Sequence, residues 1–427
     1  MTHRKTIYAL SSGSPPAGIA IIRISGPEAL AVLTGLTGKQ PPAPRLATMA
    51  RLRDPDIGLT LDHALVLWFP RSISVTGNDV VELHLHGGRA VVAIVLETLS
   101  KQSGLRPAEP GEFTRQAFEN GAIDLAEAEG LGDLLGAETE AQRRNAVAQI
   151  GGSLTRLAQS WGNDLLRLSA LAEAAIDFSD EDDVEGNFRK EIQDGAAVLI
   201  ADISQKLEQP PAERLFGGIR VAILGPPNAG KSTLFNRLLD RDAAIVSATP
   251  GTTRDVIEGS VNVDGILFTF IDTAGIRADS LDSIEKIGIA RAIAQINTVD
   301  IILALGGWQG DTLVPIVNVS AKSDIETATS GMSISASTGA GMDLLMAEVK
   351  AIARSLLPPL DAVALNDRHR EILRRMLCPL GLIEHEKDEL IIAEHLRLSR
   401  RSLGEMTGGN DSEALLDVLF GAFCIGK

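Results

Sequence analysis

The rhythm of apolar positions changes twice along the chain. Up to about residue 117, short β-rich runs alternate with glycine and proline: residues 18–26 (GIAIIRISG), 63–70 (HALVLWFP) and 79–88 (DVVELHLHGG). Helical patterns fall between them at residues 27–36 and 89–100, and the whole predicts a compact α+β domain over 1–117. From about 118 to 217, runs rich in Ala, Leu, Glu, Gln and Arg predict helices, as in 124–148 and 154–175. The acidic stretch 177–185 (DFSDEDDVE) reads as a solvated loop interrupting them. Between 218 and 354 strand and helix patterns alternate, which predicts a parallel sheet covered by helices. Pro358-Pro359 closes that unit, and the remainder is helical again, with Arg368, Arg370, Arg374, Arg375, Arg397, Arg400 and Arg401 among its charges. Two helical stretches flanking an α/β unit imply that residues 218–354 are inserted into one all-α domain made of 118–217 plus 355–427.

Composition narrows the class. A chain of 427 residues allows about three domains at roughly 150 residues each. With 44% apolar and 22% charged residues, wholesale disorder is excluded. An aromatic content of 4% argues against a carbohydrate-binding or aromatic-stacking protein. No apolar run approaches the ~20 residues a bilayer crossing needs, and the N-terminus lacks a secretory pattern. Cys378 and Cys424 cannot build a disulfide framework, and no Cys/His cluster has zinc spacing. The expected address is the cytoplasm, with no membrane partner. The net charge of −16 means that a nucleic acid would have to meet a local basic patch or a second protein, because the overall field repels phosphate.

The strongest chemical signal is IRVAILGPPNAGKST at 219–233, which contains GxxxxGK[ST] as Gly225, Gly230, Lys231 and Ser232. An apolar strand precedes it and a helical pattern follows, so backbone N–H groups of 228–233 form an anion cradle at a helix N-terminus, including those of Ala229 and Thr233. Lys231 would reach the β- and γ-phosphates, and the Ser232 hydroxyl would ligate Mg²⁺. Glycine at 225 and 230 permits an approach that a Cβ would block. Asp272-Thr273-Ala274-Gly275 ends a second apolar strand, placing a carboxylate near the metal and a glycine amide near the γ-phosphate. TPGTTRD at 249–255 supplies a threonine, Thr253, that can complete Mg²⁺ coordination only while a γ-phosphate is present.

Base choice rests on Ala321-Lys322-Ser323-Asp324 after a strand, where GTPases carry Asn-Lys-x-Asp. Asp324 can accept from guanine N1–H and the 2-amino group, Lys322 can cover the base plane, and Ala321 lacks the supporting Asn side chain. Ser335-Ala336 resembles the loop that contacts guanine O6 through its backbone. The residue after Gly275 is Ile276, whose alkyl chain cannot orient a nucleophilic water, so another group must do so. Glu285, in the next helical pattern, is a candidate, although from the residues alone a solvated surface carboxylate is the favoured reading. Only about eight residues separate the strands at 299–305 and 314–319, too few for an ordinary crossover helix.

The whole chain resembles the MnmE/TrmE tRNA-modification GTPases, through IRISG, ELHLHGG, PGEFT, AAIDF, GPPNAGKST, TPGTTRD, DTAG and the terminal FCIGK. The resemblance implies a dimeric, K⁺-stimulated GTPase with three domains. The N-terminal domain would bind a tetrahydrofolate derivative (5,10-methylene- or 5-formyl-tetrahydrofolate) and dimerise. With the FAD-containing MnmG, in a heterotetramer, such a protein installs a carboxymethylaminomethyl or aminomethyl group at C5 of the tRNA wobble uridine. Asn228 would ligate K⁺ through its amide oxygen, with Ser247, Thr249 and Thr252 finishing that site. Glu285, in IEKIG, aligns with the family's water-orienting glutamate. Arg23 and Glu82 match the folate-site pattern, Lys427 matches another contact, and Cys424 falls in the C-terminal motif as a catalytic candidate. A family lysine is missing at Gly121-Ala122. Two other readings remain open from the residues: a ribosome-assembly switch acting on rRNA, and a nucleotide-binding scaffold with weakened hydrolysis.

Overall fold

The computed structural model describes residues 5–177, 182–240, 257–272, 299–307, 312–325, 331–359, 362–409 and 413–426. By compactness they fall into two units, Met1–Gly132 with Gly404–Lys427, and Asp133–Leu403.

The first unit is built on a six-stranded sheet of order β3-β4-β5-β2-β1-β6. Its strands are β1 (Thr6–Leu10), β2 (Ile19–Ser25), β3 (Thr48–Arg53), β4 (Thr60–Phe69), β5 (Val80–His86) and β6 (Leu105–Pro107). All neighbours are antiparallel except β1 and β6, which run parallel. Strict alternation splits each strand into two faces. Ile22 and Ile24 of β2 and Val81, Leu83 and Leu85 of β5 pack with α1 (Ala29–Thr37) and α2 (Arg89–Ser100) in one core. Ile7 and Ala9 of β1 turn the other way and pack with Ala108 and Phe113, the latter on α3 (Glu112–Glu119). A further cluster joins Leu125 and Ala128 of α4 (Leu125–Gly136) to Leu416 and Phe420 of the C-terminal helix.

The second unit contains a helical part and a second six-stranded sheet. Residues 124–148, one helical run in the sequence reading, form α4 and α5 (Glu140–Ile150), separated where Thr139 caps α5 in a reciprocal box with Gln142. Then come α6 (Ser153–Asp177) and α7 (Asp182–Glu208), which cross through Trp161 Nε1–H donating to Asp202 Oδ2 at 2.7 Å. The loop reading of 177–185 is corrected here: residues 182–185 belong to α7. Acidic residue types suit the first turn of a helix, where the backbone dipole is positive. A short helix, α8 (Glu213–Phe216), leads into the second sheet.

That sheet has the order β12-β11-β10-β7-β9-β8. Its strands are β7 (Ile219–Leu224), β8 (Ile257–Val263), β9 (Ile266–Asp272), β10 (Ile301–Leu305), β11 (Ile316–Ser320) and β12 (Met332–Ser333). Among the described residues only the β8–β9 hairpin is antiparallel. The central strands β7 and β10 read as continuous apolar runs because they are buried on both faces, by one cluster around Val221, Phe268 and Leu303 and a second around Ala222, Ile271 and Ile302. The helices α9 (Lys231–Leu239) and α10 (Met342–Leu356) join the first cluster through Leu234, Phe235 and Leu345. β10 and β11 are direct parallel neighbours, and the described residues between them are not helical. Helices α11 (Asp367–Leu382), α12 (Glu389–Gly404) and α13 (Glu413–Gly421) complete the chain.

Candidate functional site

The chemistry-bearing side chains gather in two places, one in each unit. In the second unit they lie where the parallel strands end. The chain leaves β7 at Leu224, turns through Gly225 at φ +155° and enters α9 from Gly230 at φ +92°. A Cβ on Gly225 would lie 2.6 Å from the Leu305 carbonyl oxygen, so this turn requires glycine. Asn228, between them, holds a left-handed φ of 63°, a conformation that asparagine tolerates better than most residues. Lys231 is the first residue of α9, and its Nζ donates to the carbonyls of Gly225 at 2.8 Å and Pro226 at 2.9 Å. The ammonium thus arches over the loop whose amides converge at the helix N-terminus. Ser232 Oγ donates to Asp272 Oδ2 at 2.8 Å, joining the helix to the end of β9. Asp272 is buried, so its carboxylate depends on such partners. A hydroxyl and a carboxylate one hydrogen bond apart form an oxygen donor set of the kind that suits a hard divalent cation.

The loop after β11 carries Ala321, Lys322 and Asp324. Lys322 sits at φ 62°, strained for a lysine, as residues at ligand clamps often are. Its carbonyl accepts from Ile325 N–H, and Ser323 N–H donates to Ile334 O, which stitches this loop to the one after β12. There the buried Ser335 accepts from Thr338 N–H at 3.2 Å, and Ser337 Oγ donates to Asp324 Oδ2 at 3.3 Å. The Ser335 hydroxyl, then the backbone at Asp324, hold the Asp324 carboxyl below its usual range. Asp324 is therefore an ionised acceptor at neutral pH. Ser337 escaped the sequence reading, although it stands two residues after Ser335 in SISAST. Ala336 is packed against the sheet's core.

In the first unit the polar groups lie in mid-strand. The β2–β5 register pairs Arg23 with Glu82 and Ile21 with His84. Arg23 Nε and Nη2 both donate to Glu82 Oε1, at 3.1 and 2.9 Å, while His84 Nε2 lies 3.3 Å from Oε2. The Phe113 ring centroid is 5.8 Å from the Arg23 guanidinium. His84 stands two positions after Glu82 in ELHLH and so on the same strand face, while nothing in the sequence pattern links Phe113 to Arg23. Cys424 is exposed and free, and its carbonyl accepts from Gly111 N–H at 3.5 Å. Pro110 and Ile425 form an antiparallel bridge, so the tail is laid beside the start of α3. Gly426 sits at φ +97°, with a would-be Cβ 2.3 Å from Leu10 O. Ala122 stands in the turn that ends α3, its N–H donating to Ala117 O at 2.8 Å.

Ser247, Thr249, Thr252, Thr253, Thr273, Ala274, Gly275, Glu285 and Lys427 lie outside the described residues.

Comparison with known proteins identifies the family. Residues 6–122 match the family description "GTP-binding protein TrmE N-terminus", and residues 125–424 match "MnmE helical domain". A tRNA modification GTPase MnmE from Erythrobacter litoralis is 50% identical over 427 residues, covering 99% of this chain and all of that one. Its counterpart from Novosphingobium aromaticivorans is also 50% identical, over 438 residues and 99% of both chains. The chain belongs to the MnmE family of tRNA modification GTPases.

MnmE membership accounts for the mixed architecture of an α+β N-terminal part, a helical part and a P-loop GTPase part, and makes GTP the nucleotide. A solved Aquifex aeolicus Era variant bound to GDP and AlF4⁻ is 26% identical over 40% of this chain and 69% of that one, with a TM-score of 0.24, too low to argue from. Among the described residues no helix is long and apolar enough to cross a membrane.

Proposed function

We propose that this MnmE-family chain is a K⁺-stimulated GTPase that works with the FAD-containing MnmG on tRNA. The pair adds a carboxymethylaminomethyl or aminomethyl group at C5 of the wobble uridine, with a tetrahydrofolate derivative as the one-carbon donor. The observation that carries the reading is the Ser232–Asp272 hydrogen bond at the mouth of a glycine-shaped loop, in a chain whose relatives are tRNA modification GTPases.

The residues divide the work. Amides of residues 228–233 and the Lys231 ammonium hold the triphosphate, with phosphate oxygens competing for the N–H donors that Lys231 gives to Gly225 O and Pro226 O. Ser232 and Thr253 would hold Mg²⁺, with Asp272 behind them. Asn228, Ser247, Thr249 and Thr252 would hold K⁺. When bound, these cations supply the positive charge that offsets the build-up of negative charge during phosphoryl transfer. Glu285 orients the attacking water, since Ile276 cannot. Thr273, Ala274 and Gly275 would follow the γ-phosphate. Asp324, Lys322, Ser335 and Ala336 select guanine.

Arg23, Glu82 and Lys427 would bind the folate, with Cys424 close to the reacting carbon. Arg23 and Glu82 fit such a ligand: an arginine suits folate carboxylates or ring carbonyls, and a glutamate suits pterin N–H groups. Division into residues 1–117, 118–217 plus 355–427, and 218–354, a homodimer joined to MnmG in a heterotetramer, and a cytoplasmic address complete the reading.

Nucleoside analysis of tRNA from cells lacking this protein tests it. Loss of the modified wobble uridine is expected, and an unchanged nucleoside profile would overturn the proposal. GTP turnover of the purified protein should fall by at least about tenfold when Na⁺ replaces K⁺.

A further inference from the structure

We propose that His84 is a positioning residue for the one-carbon carrier: it fixes the second carboxylate oxygen of Glu82 in the orientation that receives an N–H of a reduced pterin. The inference rests on the folate reading and adds to it a residue that neither the family resemblance nor the comparisons assign.

The geometry of the carboxylate makes the case. Two donors of Arg23, Nε and Nη2, converge on one oxygen of Glu82, Oε1. An ionised carboxylate offers about two acceptor directions per oxygen, so Arg23 fills both on Oε1. Arg23 is itself constrained, with the Phe113 ring 5.8 Å from its guanidinium. Yet a contact to a single oxygen is a pivot. The terminal torsion of a glutamate is broad and roughly two-fold, so a carboxylate pinned at one oxygen still swings. His84 supplies the second point. Its Nε2 lies 3.3 Å from Oε2, two residues along β5 on the same face. To donate there, Nε2 must carry the ring proton. With one direction on Oε2 taken by His84, one remains, and its aim is set from both sides.

The trio is within reach of a ligand. The side chains of Arg23, Glu82 and His84 are 22%, 18% and 24% exposed, so the trio is neither sealed in the core nor fully solvated. Beside it on the same sheet face, Ile21 is half-buried and Ile19 is 61% exposed. A flat heterocycle with an N–H edge and apolar faces suits such a place, and a pterin ring has that character.

The test uses the full-length protein, with 5-formyltetrahydrofolate as the titrated probe in calorimetry. His84→Leu keeps bulk and removes the donor. His84→Gln keeps an N–H at similar reach. His84→Leu is expected to weaken binding about tenfold, and His84→Gln to stay within about threefold of the unsubstituted protein. GTP turnover in K⁺ should be unchanged in both. Equal affinity of the Leu variant and the unsubstituted protein would overturn the assignment. So would a Gln variant as weak as the Leu variant, because the ring rather than its N–H would then matter. Should His84→Leu fail to fold, the Gln variant alone decides, since a loss of more than about tenfold there contradicts a role filled by an N–H donor. If the unsubstituted protein takes up no folate, the folate reading itself falls, an outcome distinct from failure of the His84 role.

Discussion

The two sheets of this molecule place their chemistry in opposite ways. Among the described residues of the second unit every strand pair except β8–β9 is parallel, and the central strands are covered on both faces. The middles of β7 and β10 are apolar, and the functional groups stand in loops at the strand ends: the glycine loop after β7, Asp272 closing β9, Asp324 after β11 and Ser335 after β12. In the first unit β2 is antiparallel to both neighbours, and one face packs with α1 and α2 while the other is only partly covered. Arg23, Glu82 and His84 can therefore sit in mid-strand, provided that they satisfy one another. A buried unpaired charge costs several kcal/mol, and an exposed ion pair contributes only ~1 kcal/mol or less. The partly exposed trio lies between these limits. The lesson is that a fully buried parallel sheet drives binding groups to its ends, whereas a half-covered antiparallel sheet can carry them on its surface.

If the two sites are separate in this way, a change in one should leave the other intact. The largest effect is expected for Lys231→Ala. It removes the ammonium that arches over the phosphate loop, and GTP turnover should drop by about a thousandfold. Folate affinity measured on the same protein should stay within about twofold. A parallel loss of folate binding would break the comparison, because the sites would then depend on each other.

Arg23→Ala comes next. It leaves Glu82 on a sheet face without its nearest cation and removes the pivot of the carboxylate. Folate binding should weaken by about a hundredfold, with GTP turnover unchanged. Calorimetry for the first quantity and phosphate release for the second distinguish the expected split from a general loss of fold, in which both would fall.

How much of each site could be read in advance follows from the same contrast. The glycine loop was legible because everything it needs is local: an apolar strand, GPPNAGKS and a helical run lie within 21 residues, 219–239. The sheet-face site is non-local. Alternation alone puts Arg23 on the face opposite Ile22 and Ile24, but its partner is 59 positions away and depends on strand register. The C-terminal tail was still less legible. FCIGK carries no periodicity, and its place beside Gly111 rests on the Pro110–Ile425 bridge and on Arg115 reaching Asp417 across 302 positions. The same holds for the acidic stretch, whose charge suggested solvent while its last residues start α7. Local motifs fix local backbone; pairings across the chain emerge only from packing.

A third prediction concerns the end of β11. Asp324→Ala should lower guanine nucleotide affinity by about thirtyfold, measured with a fluorescent GDP. The pH dependence follows from sign. The Ser335 hydroxyl and the local backbone hold the Asp324 carboxyl below the 3.8 of an ordinary aspartate. A depressed value means that the ionised acceptor is fully present above 3.8 and is lost only as pH falls through the lower folded value. Guanine affinity should thus be flat from pH 8 down to about 5. A decline beginning near pH 6 would point to another group.

The smallest effect is expected at Ala321, where GTPases carry asparagine. Its side chain is half-buried, packs against the core of the sheet, and lies 4.0 Å from the Cβ position that Gly230 lacks. A residue at 321 therefore faces the start of α9, within reach of the loop that holds the phosphates. Ala321→Asn adds a carboxamide that can bond backbone in that loop, a gain of ~1 kcal/mol for one neutral hydrogen bond. Against it stands crowding, since Ala321 already packs against the core of the sheet and extra atoms in a packed site cost ~1 kcal/mol or more. The open side of the site at Gly230, with no Cβ of its own, tips the balance. The expected net effect is a gain of about threefold in guanine nucleotide affinity, read from the GDP dissociation rate. A loss of affinity would mean that the two loops are packed for alanine, and that this chain holds its base through Asp324 and the Ser335–Ser337 loop alone. Folate binding on the sheet face should not respond in either case.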